Sequence, residues 1–240
     1  MDPQTMLYAG FVLFLAYLVR GIAGFGSGLI AVPLLTLVSP VPVVVPLVVS
    51  LDYIGSASQG IKHRGHIAWK EQLLLVPCML MGIGLGLFLL RALPTVVLSK
   101  VLGGFVIIYA LSQLLSLPTL RYSRCSAAVC GMLGGLVGTL FGTGGPFYAI
   151  YLNLRDLDKN IFRATFAANF LIDGGIRLTA YAILGLLSKQ IFMYLLAALP
   201  IMGAGLYLGG CLHTKFSQMA FVRFMSLLLL GSGLMLLLKQ

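Results

Sequence analysis

The chain has 240 residues, of which 60% are hydrophobic and only 9% charged, whereas a soluble domain carries about a quarter charged residues; a water-soluble fold is excluded. Sixteen Lys and Arg against six Asp and Glu leave a net charge of +10. The cations fall one to three at a time between apolar stretches, which marks membrane topology rather than a basic stripe for nucleic acid.

The chain begins Met1-Asp2-Pro3-Gln4 without a basic n-region, and no cleavage pattern follows the first apolar run, so that run is expected to stay in the protein. Apolar segments over 5–19 and 21–39 flank Gly21-Ile22-Ala23-Gly24-Phe25-Gly26-Ser27-Gly28, which reads as a broken helical hairpin or a re-entrant loop. Arg20, just before the break, is expected either to guide anions or, as favoured, to snorkel to the interface. The segment 41–60 carries Asp52 in its middle, where a charge costs at least about 2.5–3.5 kcal/mol. No cation lies within one helical turn of it, and Ser50, Tyr53 and Ser56 are its nearest polar company, so Asp52 is a candidate for proton coupling.

The loop Lys62-His63-Arg64-Gly65-His66-Ile67 offers only two imidazoles and Glu71, so a solvated basic loop is expected rather than a metal site. Segments 72–90 and 95–115 complete a first half. Cys78, Cys125, Cys130 and Cys211 lie in or beside apolar segments without ligand spacing, and act as small packing residues.

The second half opens on 125–141 and 146–154, flanking Gly142-Thr143-Gly144-Gly145-Pro146. The segment 164–186 places Asn169, Asp173 and Arg177 one helical turn apart, so Asp173 and Arg177 form an intrahelical pair. Asp173 is the second candidate for proton coupling. Segments 190–212 and 219–238 follow. Gln59 and Asn153 lie at the ends of their segments and are expected to cap them.

Laid over one another, the halves repeat. Phe25-Gly26-Ser27-Gly28 falls on Phe141-Gly142-Thr143-Gly144 at a spacing of 116, while Asp52 falls on Asp173, and Gly82-Ile83-Gly84-Leu85 on Gly203-Ala204-Gly205-Leu206, at 121. Repeats over 1–118 and 119–240, each with one hairpin and three further spans, have an odd number of crossings and are therefore inverted. The basic loops place both termini outside the cytoplasm.

Irregular backbone cannot face lipid, so the glycine breaks must be buried in protein or line a watered cavity. Helix N-termini that follow such breaks present amide donors and the positive end of the helix dipole to an anion. Gly26, Ser27 and Gly28, with Thr143, Gly144 and Gly145, are the expected substrate-binding residues, meeting at the midplane with Asn169 and Arg177 beside them. No phosphate-binding loop, catalytic triad or metalloprotease motif is present, so no cofactor and no soluble-type catalytic apparatus is expected.

Gly24-Phe25-Gly26-Ser27-Gly28 with Val32-Pro33-Leu34-Leu35, and Gly138-Thr139-Leu140-Phe141-Gly142-Thr143-Gly144-Gly145-Pro146, resemble the paired signature of the sulfite exporter TauE/SafE family. Arg64-Gly65-His66-Ile67 resembles the loop that follows the third span in that family. The first motif departs from the common triple-glycine form by carrying Ser27. The resemblance implies a secondary carrier of small sulfur-containing or organic anions, in the cytoplasmic membrane of a prokaryote, with membrane lipid and a small anion as its partners. The expected fold is an all-α polytopic bundle of two inverted repeats. A passive anion channel and an intramembrane thiol-dependent enzyme are the alternatives.

Overall fold

The computed structural model describes residues 3–24, 26–60, 67–114, 124–155, 157–212 and 218–238. Phe25, the loop carrying Lys62, His63, Arg64 and His66, and the cations Arg121 and Lys215 lie outside them. Among the described residues there are ten helices and no strand: α1 (Pro3–Ala23), α2 (Ser27–Thr36), α3 (Val41–Gly60), α4 (Trp69–Ala92), α5 (Thr95–Leu114), α6 (Arg124–Phe141), α7 (Gly145–Leu154), α8 (Lys159–Ile183), α9 (Lys189–Leu212) and α10 (Gln218–Leu238).

Four of these, α1, α4, α5 and α9, are long and apolar enough to cross a bilayer. Their outward faces carry large apolar side chains such as Leu7, Phe88, Ile108 and Phe192, a surface suited to lipid rather than water. Helix α8 has 25 residues but is not among the apolar spans, and the reason is a polar residue at every fourth position. Thr165, Asn169, Asp173 and Arg177 are all buried, so this helix turns its polar stripe into protein.

The helices α2 and α7 have 10 residues each, or about 15 Å at 1.5 Å per residue, half of a hydrocarbon layer of about 30 Å. Nine of the residues of α2 are buried. The first break is narrower than the expected 21–28. Helix α1 runs on through Arg20 and Gly21 because the Gly24 N–H still reaches the Arg20 carbonyl at 2.7 Å. The chain then turns at Gly24, whose φ of 84° lies in the left-handed region.

Two compact units divide the chain. The first holds Met1–Val48, Leu93–Pro118 and Ser188–Gln240; within it α1 packs on α9 and α5 on α10. The second holds Val49–Ala92 and Thr119–Leu187; within it α4 packs on α6, and α7 lies between α6 and α8 in contact order. Each unit therefore draws helices from both halves of the sequence.

Glycines set these helix pairs at close range. In the second unit a methyl group on Gly82 would collide with the Met132 carbonyl and stand 2.9 Å from the Leu136 nitrogen, and one on Gly86 would stand 3.1 Å from the Leu136 carbonyl. In the first, a methyl on Gly205 would stand 2.9 Å from the Phe14 carbonyl and 3.0 Å from the Leu18 nitrogen, and one on Gly209 would collide with the Leu18 carbonyl. The same contacts thus recur at a spacing of 118 from α1 to α6 and of 123 from α4 to α9. Both differ by two from the spacings of 116 and 121 read by matching glycine motifs. The motif match followed residue identity, whereas packing follows which glycine faces the neighbour: Gly203 meets nothing within 4 Å.

Gly82→Ala is expected to destabilise the protein by about 1–3 kcal/mol, because its new methyl has only backbone to push against. Gly84→Ala, on the open face of the same helix, should be neutral or gain up to about 1 kcal/mol. Unfolding midpoints in detergent compare them; equal midpoints would contradict the α4–α6 contact.

Candidate functional site

Helix α6 ends at Phe141, and its last four carbonyls lack partners within the helix. The Gly142 N–H returns to the Gly138 carbonyl at 2.9 Å. Two side chains from α8, one turn apart, reach the same helix end. The Arg177 Nη1 donates to the Gly138 carbonyl, and the Tyr181 hydroxyl donates to the Thr139 carbonyl at 2.6 Å. The remaining Arg177 amino group, Nη2, pairs with Asp173 Oδ2. A cation at a helix C-terminus complements the dipole, and pairing with Asp173 leaves the two charges together neutral. Position 138 must stay small, since a methyl there would stand 3.1 Å from Arg177 Nη1.

Helix α7 then starts at Gly145, with Pro146 in its first turn, where the missing N–H is no loss. Around this start lie groups that are buried yet lack a hydrogen-bond partner: Thr143 Oγ1, the Tyr148 hydroxyl, both side-chain amide atoms of Asn169, Asp173 Oδ1 and Arg177 Nε. Each such group costs about 1–3 kcal/mol when left unpaired, and native structures hold few of them.

Close contacts gather them. Gly144 seats against the Gly134 carbonyl and the Gly138 Cα, and the Tyr148 ring lies on Gly134. The Tyr148 hydroxyl faces the Asp173 carboxylate without a well-formed hydrogen bond. Gly145 meets the rings of Phe170 and Phe166 on α8. Contacts therefore link Gly144 and Gly145 of the break to α6 and α8, and Asp173 to Arg177 and Tyr148; Thr143, next in sequence to Gly144, and Asn169, one turn before Asp173, are buried. To the residues expected from sequence the structure adds Tyr148, Tyr181 and the backbone of Gly138 and Thr139.

The first break is built differently. Gly26 caps α2 with a φ of 97°, and Ser27 and Gly28 open the helix, both buried. Arg20 does not snorkel to an interface. It is 4% exposed and donates from Nη1 to the Ser27 hydroxyl at 3.3 Å; a hydrogen-bond partner inside the protein replaces the water it would otherwise seek. At the spacing of 118, Arg20 corresponds to Gly138 and Ser27 to Gly145. The guanidinium at the first break thus comes from the breaking helix itself, and the one at the second comes from α8 into room that Gly138 leaves. Ser27 and Thr143 are not at matching positions, since Ser27 is the first residue of α2 and Thr143 precedes the cap of α7.

Asp52 is buried in the part of α3 that belongs to the second unit. Tyr53 beside it would touch a methyl on Gly174 at 3.0 Å, so this turn of α3 packs on the α8 turn that follows Asp173. Asn153 is exposed. At the far end of α7, Glu71 of α4 accepts from the Tyr151 hydroxyl at 2.5 Å and from Arg155 at 2.6 Å. Gln72 donates to the Thr165 carbonyl at 2.8 Å, and the Ala68 N–H to the Thr165 hydroxyl at 2.9 Å. These bonds fasten the C-terminal end of α7 and the start of α8 to α4.

Among the described residues no group of three His, Cys, Asp or Glu could hold a metal ion. A cavity of about 140 Å³ lies in the first unit, walled by apolar residues such as Leu13, Leu35, Val44 and Ile201; none of the residues of the second break lines it. Its walls offer an anion little, so the candidate site is the polar cluster at the second break.

The family model for sulfite exporter TauE/SafE matches residues 9–236 of the chain. No curated protein and no solved structure matches it.

If the unpaired groups serve a ligand, removing one should help the empty protein. Asn169→Leu, with the same number of side-chain heavy atoms, is expected to raise stability by roughly 1–3 kcal/mol by deleting two orphaned atoms. Thr143→Val should act in the same direction more weakly. Thermal melts in detergent without added anion check this; a loss of stability would mean that these side chains hold the fold.

Proposed function

The chain belongs to the sulfite exporter TauE/SafE family, and on that premise we propose that it is a secondary active carrier of a small sulfite-like or organic anion, working by alternating access. Its helices make it a multi-pass membrane protein. The observation that carries the reading is the set of buried, unpaired donors at the start of α7: Thr143 Oγ1, the Tyr148 hydroxyl, Asn169 Nδ2 and Arg177 Nε. An anion accepting from them would repay their desolvation, and the positive end of α7 and the charge of Arg177 favour it there.

The half-helices support a carrier rather than a pore. A break halfway across the hydrocarbon puts the binding groups at depth, where a rocking motion can expose them to one side and then the other. Gly26, Ser27 and Gly28, with Arg20, form the counterpart at the first break. The recurrence of the α4–α6 contacts in α9–α1 supports two repeats, which the basic loops would orient with both termini outside the cytoplasm. Asp52, buried on α3, and Asp173 are the carboxylates that would couple transport to protons.

Sulfite flux into proteoliposomes tests this. A carrier gives saturable uptake that speeds up when sulfite is present on the far side, whereas a passive channel gives neither. Removing Arg177 alone, as Arg177→Met, should destabilise the protein by about 3–5 kcal/mol through the stranded carboxylate. The double variant Asp173→Leu with Arg177→Met should restore most of that stability and still lose flux about 100-fold, the worth of one or two charge-assisted hydrogen bonds. A double variant that transports as the wild type does would overturn the site.

A further inference from the structure

The second break offers a ligand more than positive charge. Resting on the carrier reading above, we propose that its site takes a singly charged anion that brings its own hydrogen-bond donor, of the hydrogensulfite type, and rejects fully deprotonated dianions.

Two observations carry this. The only charged pair shown at the site, Asp173 with Arg177, sums to zero, so the site holds no net positive charge with which to neutralise a dianion in a low-dielectric interior. Second, the unpaired groups are of both kinds. Thr143 Oγ1, the Tyr148 hydroxyl, Asn169 Nδ2 and Arg177 Nε can donate, while Asp173 Oδ1 and Asn169 Oδ1 can only accept. An anion without a donor would face the fully buried Asp173 carboxylate, whose Oδ1 has only the poorly placed Tyr148 hydroxyl near it, and that is repulsive. An anion with one acidic O–H would donate to Asp173 Oδ1 or Asn169 Oδ1 and accept from the remaining groups.

The groups that face Asp173 are Arg177 and Tyr181 on its own helix and Tyr148 on α7. α6 contributes backbone carbonyls rather than charge at this point, those of Gly138 and Thr139. The acceptor on Asp173 is therefore met from the protein side only by Tyr148, whose hydroxyl is not in bonding geometry. A ligand O–H could donate to Asp173 Oδ1.

Competition at one fixed neutral pH, with wild-type protein in proteoliposomes and sulfite as the transported probe, separates ligand chemistry from titration of the protein. Hydroxymethanesulfonate, a monoanion with a hydroxyl, should compete at least about tenfold better than methanesulfonate, the difference of one satisfied hydrogen bond. Sulfate, a dianion without a donor, should not compete. In Asp173→Asn the site gains a net positive charge and sulfate should begin to compete. If sulfate competes with the wild type as well as hydroxymethanesulfonate does, the preference for a protonated monoanion is wrong and the carrier reading stands. If sulfite itself is not transported, both fail together. Because the wild type alone decides, a misfolded Asp173→Asn does not rescue the proposal.

Discussion

A helix cannot be broken inside a membrane unless its freed carbonyls find donors, and at the second break those donors come from α8. Arg177 and Tyr181 reach the Gly138 and Thr139 carbonyls, and Asp173 neutralises the guanidinium that does so. The glycines follow from this. Gly138 leaves the space the guanidinium fills, Gly134 receives the Tyr148 ring, and Gly144 fits between them. With the end of α6 fixed, α7 must start where it does, and Glu71 with Tyr151 and Arg155 holds its other end. A half-helix held at both ends presents its N-terminus at a set place.

What this clamp does not satisfy is as informative as what it does. Two Arg177 nitrogens and one Asp173 oxygen are used in holding the helices, while Arg177 Nε and Asp173 Oδ1 are left over beside Thr143, Tyr148 and Asn169. Structural ion pairs in apolar surroundings are stable when every lone pair and proton is met. Here atoms on both residues lack a hydrogen-bond partner, near the start of α7. The first break shows another solution to the same problem, in which Arg20 bonds Ser27 directly. The two breaks share a backbone plan, with half-helices of equal length at a spacing of 118, but differ in which helix supplies the guanidinium.

Much of this was legible from residues one turn apart. Asn169, Asp173 and Arg177 stand out because polar groups at fourth positions in an apolar segment must face something other than lipid, and the glycine breaks stand out because irregular backbone must be buried. The same periodicity extended in both directions would have found Thr165 and Tyr181. Other parts were hidden for physical reasons. Glu71 and Arg155 are separated by 84 residues, and nothing local marks them as partners. Arg20 looked like an interfacial cation because its hydrogen-bond acceptor lies across a turn. The packing contacts recur two residues off the spacing of the motif match, because aligned glycines are chosen by identity, while the packed ones, Gly82 and Gly86 against Gly205 and Gly209, are chosen by the face they present.

The central claim is that an anion completes the hydrogen bonds left open at the start of α7. Anomalous scattering from selenite, a heavier analogue of sulfite, soaked into crystals of the protein tests it most directly. The account predicts a peak within hydrogen-bonding distance of Thr143 Oγ1 and Asn169 Nδ2, lost in Asn169→Leu. A peak only beside Arg20 and Ser27, with the second break empty at saturating selenite, would contradict it.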